Sequence, residues 1–110
     1  MALIVNTLDA PGLLQAINDG IKSGHVTTWS VDADGDYTHT PAQWARKAWM
    51  RPSVEVGRIT FKILTPKEAT LSKEVYAVYH GRFTEMLLAH FDLKFTNATA
   101  TALPAHGDIL

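Results

Sequence analysis

Residues 28–40, TWSVDADGDYTHT, favour one register when they fold back on themselves. Asp32-Ala33-Asp34-Gly35-Asp36 reads as a short hairpin loop, with Gly35 supplying the positive φ that such a loop needs. If Asp32 faces Asp36, Val31 meets Tyr37, Ser30 meets Thr38, Trp29 meets His39 and Thr28 meets Thr40. One face is then Trp29, Val31, Tyr37 and His39, and the other is entirely Ser and Thr. A one-residue slip would scramble both faces, so the pattern itself pins the register. The three aspartates at the tip repel one another and are expected in water.

Around this hairpin the other elements can be placed. Asp9 can cap a helix near 9–23, with Pro11 in its first turn, Leu13, Leu14, Ile17 and Ile21 at helical spacing, and Gly24 as its stop. Thr40-Pro41-Ala42-Gln43 resembles a capping box, so a short helix over 41–50 is expected, with Trp44, Ala45, Ala48 and Trp49 on one face and Arg51-Pro52 ending it. Ile59, Phe61 and Ile63 alternate with polar residues in a strand over 58–64, and Val54 and Val56 extend it or form a separate strand. The longest helix is expected over 72–91, with Tyr76, Tyr79, Phe83, Met86, Leu87 and His90 in its apolar arc. Gly81 falls on its opposite side. A final strand is expected over 93–100.

The resulting fold class is α+β: a small antiparallel sheet of about four strands, including the 26–32/36–40 hairpin. Two main helices pack on one face and a short Trp-bearing helix covers an edge. The chain has 110 residues, enough for one modest core, so a single domain is expected over 1–97, followed by a loosely ordered tail over 98–110. No cysteine is present, which removes disulfides, thiolate metal sites and thiol nucleophiles. The first residues lack the basic and long apolar regions of a signal peptide, and no apolar run reaches the roughly 20 residues of a membrane span. The expected compartment is therefore cytoplasmic, with no membrane partner.

The net charge of −1 conceals a polarity. Residues 1–40 carry −4 (Lys22 against Asp9, Asp19, Asp32, Asp34 and Asp36), residues 41–62 carry +4, and the remainder carries −1. The bland explanation is complementarity between neighbouring elements. The functional one is nucleic-acid binding by the basic segment 46–62, with Arg46, Lys47, Arg51, Arg58 and Lys62 on phosphates and Trp49 stacking on bases. The acidic tip beside it and a pI near 6.5 argue against a polyanion partner.

Cofactor and metal signals are weak. The tip places Gly35 fourth and Gln43 twelfth from Asp32, against the sixth-position Gly and twelfth-position Glu of an EF-hand loop. His80 and His90 are ten residues apart, which puts them on different turns and faces and rules out a shared zinc. No metal and no cofactor is expected. His90 reads as a core histidine at a helix end. A cleft combining His39, His80 and Arg82 would suit acid–base chemistry on a small anion such as a phosphate or carboxylate. Nothing in linear spacing makes them converge, and an enzyme is not the favoured expectation. By elimination the chain reads as an accessory or regulatory domain that acts by binding a protein partner or another copy of itself, with a nucleic-acid module and a small enzyme or anion-binding protein as alternatives.

Overall fold

Alternation decides which side of each strand is apolar, and along this chain the apolar sides agree. The computed structural model describes residues 3–67 and 69–102. In chain order it contains β1 (Leu3–Asn6), α1 (Ala10–Ser23), β2 (Trp29–Val31), β3 (Tyr37–His39), β4 (Trp49–Glu55), β5 (Arg58–Leu64), α2 (Lys73–His90) and β6 (Asn97–Ala100). The strands form one antiparallel sheet in the order β2-β3-β4-β5-β1-β6. Leu3 and Val5, Trp29, Tyr37, Met50, Ile59, Phe61 and Ile63 all enter the core from one side. The alternate positions, among them Ser30, Thr38, Arg51, Ser53 and Lys62, form the other face, as expected of an antiparallel sheet with one solvated side.

Both helices lie on the apolar side. From α1 come Ala10, Leu13 and Ile17, and from α2 come Tyr76, Tyr79, Phe83, Met86 and Leu87. The topology requires this. The β1-to-β2 and β5-to-β6 crossovers run in opposite directions along oppositely directed strands, so right-handed connections put both helices on the same face. Phe83 joins the layers, with its ring 4.7 Å from Phe61, 4.9 Å from Trp29 and 5.6 Å from Tyr37.

The hairpin register is as the sequence predicts: Trp29 pairs His39, Ser30 pairs Thr38 and Val31 pairs Tyr37. Asp9 caps α1 by accepting from the Gly12 N–H, and Gly24 ends it with φ 85°. Ser72 caps α2.

Four expectations need correction. The sheet has six strands rather than about four. The first extra strand is β1, a short apolar run that pairs with both β5 and β6. The second is β4, which replaces the end of the expected 41–50 helix, while residues 41–46 form turns. Pairing with seven residues of β5 outweighs one capping box. Pro52 is tolerated because β3 pairs with β4 only at Tyr37–Met50, so beyond the hairpin tip β4 has β5 as its sole neighbour. The last strand is Asn97–Ala100, shorter than 93–100 and taking up the first residues of the expected tail; residues 103–110 lie outside the described ones. Finally, His90 is exposed and His80 is buried: at the end of α2 the core is filled by Leu87 and Phe91, on either side of His90.

Gly81 meets open space, so its helical position carries only the entropic penalty of glycine. Gly81→Ala is expected to raise stability by about 0.5–1 kcal/mol in urea unfolding. Gly24→Ala, at a left-handed φ, should lower it by about 1 kcal/mol. A loss at position 81 would contradict the solvated placement.

Candidate functional site

His39 lies on the inward face of β3, buried beneath α2. Its ring packs 4.6 Å from that of Trp29, and its Nδ1–H donates to the Thr28 carbonyl at 2.7 Å. Burial lowers its pKa below 6.5; the Thr28 bond opposes this, nearby Arg82 adds to it and Glu85 opposes it. Arg82 therefore lies within electrostatic reach of His39, but its guanidinium is exposed and engaged with Glu85 at 3.1 Å. His80 is buried on α2, donating from Nδ1 to the Tyr76 carbonyl and stacked on the Tyr76 ring at 3.9 Å. His39 alone of the three is seen to pack against the Trp29–Tyr79 pair, and none of them lines any of the hollows described below.

The basic segment separates into two groups. Arg46 and Lys47 sit in the 41–48 turn region and line a hollow of about 360 Å³ with Thr70, Ser72 and Val75. That region is held from beneath. The Tyr79 hydroxyl donates to the Trp44 carbonyl, and Thr38 Oγ1 accepts from the Arg46 N–H and donates to the Ala48 carbonyl. Arg46 takes a φ of 61° there, a left-handed conformation costing about 1–2 kcal/mol that these contacts hold in place. Arg51, Arg58, Lys62 and Trp49 lie instead on the outer sheet face. Arg58 is bound to Glu55 at 2.6 Å. Arg51 makes a bidentate pair with Asp36, at 2.9 and 2.7 Å. Asp36 is 2% exposed, so this aspartate does not lie in water as the tip was expected to do: Arg51 on the neighbouring strand covers and neutralises it. The carboxylates of Asp32, Asp34 and Asp36 approach within 4.8 Å, but Asp32 Oδ1 already accepts the N–H groups of residues 34 and 36. Asp32 Oδ1 is thus committed to shaping the turn, and both Asp36 oxygens to Arg51.

Motif reading missed the far end of the sheet. There the β1–α1 turn, the β4–β5 hairpin tip and the α2–β6 connection meet around Thr7, which is buried. Its N–H donates to the Gly57 carbonyl at 3.0 Å and its Oγ1 to the Lys94 carbonyl at 2.6 Å. The Thr96 N–H donates to the Asn6 carbonyl at 2.9 Å. Each tied loop presents a bare aliphatic side chain: Leu8 is 100% exposed, Leu93 96% and Val56 wholly so, with Val54 at 45% beside them. Leu8 is shared by two hollows, one of about 280 Å³ reaching Leu93 and Phe95 and one of about 540 Å³ reaching Val54 and Val56.

A signal for this end was present in the sequence. Leu8 precedes the cap of α1, where an aliphatic residue ordinarily staples to the fourth helical position, here Leu13. Leu13 is buried and Leu8 is wholly exposed, so that staple is not made. Val56 and Leu93 likewise occupy turn positions where Gly, Asn, Asp or Ser is usual.

Two outcomes test the electrostatics. Arg51→Ala should cost about 1–2 kcal/mol, below the about 3–5 of breaking a fully buried pair because the guanidinium is half in water. For His39 the folded-state pKa lies below the unfolded value, so the unfolded chain takes the proton first. Its contribution is complete above pH 6.5 and is lost as pH falls through that value towards the lowered one. His39→Asn should flatten the stability–pH curve just below 6.5, and an unchanged slope would refute the assignment. Comparison of the chain with protein-family models, curated proteins and solved structures finds no match.

Proposed function

We propose that this chain is a cytoplasmic accessory or regulatory domain that docks a protein through the aliphatic end formed by Leu8, Val54, Val56 and Leu93. The observation that carries this reading is the convergence of three wholly exposed aliphatic residues from three separate loops at one end of the sheet. Single exposed aliphatics are ordinary, whereas a contiguous group rimmed by polar residues marks an interaction site. The hydrogen bonds of Thr7 hold the three tips together, so little ordering entropy is lost when a partner arrives. The absence of cysteine suits a reducing compartment. No helix among the described residues is long and apolar enough to cross a membrane.

The other readings have less support. A nucleic-acid surface over 46–62 would have to draw on Arg51 and Arg58, which are held by Asp36 and Glu55, and on Arg46 and Lys47, which stand apart from them. An enzyme based on His39 would require a substrate to reach a buried imidazole packed against Trp29 and Tyr79.

A photo-crosslinking residue introduced at position 8, 56 or 93 is expected to form discrete protein adducts in cells that make the chain. The same residue at the exposed Gln15 of α1 or Ala77 of α2 should form none above background. No adducts from the three tips, or the same adducts from all five positions, would end the docking reading.

A further inference from the structure

We propose that the partner at this end is a second copy of the chain, in a two-fold dimer where Leu8 and Asp9 of each copy meet Leu93 and Lys94 of the other. The inference rests on the docking reading and adds the identity of the occupant. Two of the converging loops carry the same pattern, an aliphatic residue followed by a charged one, and the charges are opposite: Leu8-Asp9 and Leu93-Lys94. All four residues line the hollow of about 280 Å³. A two-fold axis brings residue i against j and j against i. Applied here, it sets aliphatic against aliphatic and acid against base twice over.

The two charges are available for such contacts. Neither the Asp9 carboxylate nor the Lys94 ammonium makes an ion pair among the described residues. Asp9 Oδ1 caps α1 through the Gly12 N–H at 3.1 Å. The Lys94 backbone is fixed at both ends, its N–H donating to the Phe91 carbonyl at 2.9 Å and its carbonyl accepting from Thr7, so the base of this side chain is well placed. A net charge of −1 leaves little long-range repulsion between copies. Four aliphatic side chains cover less than the about 800 Å² per partner of a standard complex, so dissociation in the micromolar range is expected.

Sedimentation equilibrium on the purified chain, from about 1 to 500 μM, tests the dimer, with circular dichroism confirming that each variant is folded. The wild type should dimerise, and Leu93→Asp should remain monomeric. Lys94→Glu sets like charges against Asp9 and should weaken the dimer by about tenfold or more. Added salt should weaken the wild-type dimer and strengthen that of Lys94→Glu. Asp9→Asn in the Lys94→Glu background keeps a good helix cap, removes the repulsion and should restore part of the affinity. A wild type monomeric over the whole range overturns the proposal, as does a dimer indifferent to both Leu93→Asp and Lys94→Glu. If a monomeric wild type still gives adducts with a different protein from position 93, the self-association fails and the docking reading stands. If dimer and adducts are both absent, both fail.

Discussion

β1 is the first strand in the chain and yet an interior strand of the sheet. Its four residues pair on one side with β5 and on the other with β6, in registers that set Asn6 opposite both Arg58 and Asn97. The next residue, Thr7, must therefore emerge between the β4–β5 hairpin tip and the chain entering β6. Its amide and hydroxyl satisfy a carbonyl on each side. Buried carbonyls without partners are costly, so the three loops are held together by the same rule that pairs the strands. The position of the aliphatic end follows from the pairing of β1.

The same arrangement explains what could be read from the sequence and what could not. The β2–β3 register was legible because each of its two faces is chemically pure and Gly35 marks the turn. Both helices were legible from their apolar spacing, and the first also from its cap, Asp9. β1 was obscured because a four-residue apolar run has no period of its own, and only its two neighbours make it a strand. β4 was obscured by a conflict of signals. Trp44, Ala45, Ala48 and Trp49 fit a helical face, whereas Met50, Pro52 and Val54 fit a strand face, and pairing with β5 decided between them. The site was harder still, since Leu8, Val56 and Leu93 are far apart in sequence and become neighbours only through β1.

Charge along the chain follows the same logic. The acidic front and basic middle meet in the pair of Asp36 and Arg51, so the polarity seen in the sequence serves at least in part to join the hairpin tip to β4. Asp36 loses its water while Arg51 keeps about half of its own, and the two hydrogen bonds from the guanidinium replace part of the solvation that the carboxylate gives up. Arg58 is bound to Glu55 in the same strand pair, so two of the five cations in the basic middle answer to acids within the fold. What had looked like a nucleic-acid footprint is to that extent internal bracing.

Asp9 and Lys94 follow the opposite pattern, since they carry opposite charges beside one hollow without an ion pair of their own. Exposed aliphatic residues on loop tips do nothing for the stability of an isolated chain and carry a risk of non-specific association. Alternating them with one acid and one base restricts that risk, because a second surface must match both the aliphatic spacing and the order of charges. The surface that matches by construction is the same end rotated by a two-fold axis. Specificity of this kind needs the loops to be rigid, because a mobile tip could present its charge to many partners. Thr7 supplies that rigidity, so the buried hydroxyl and the exposed leucines are parts of one device.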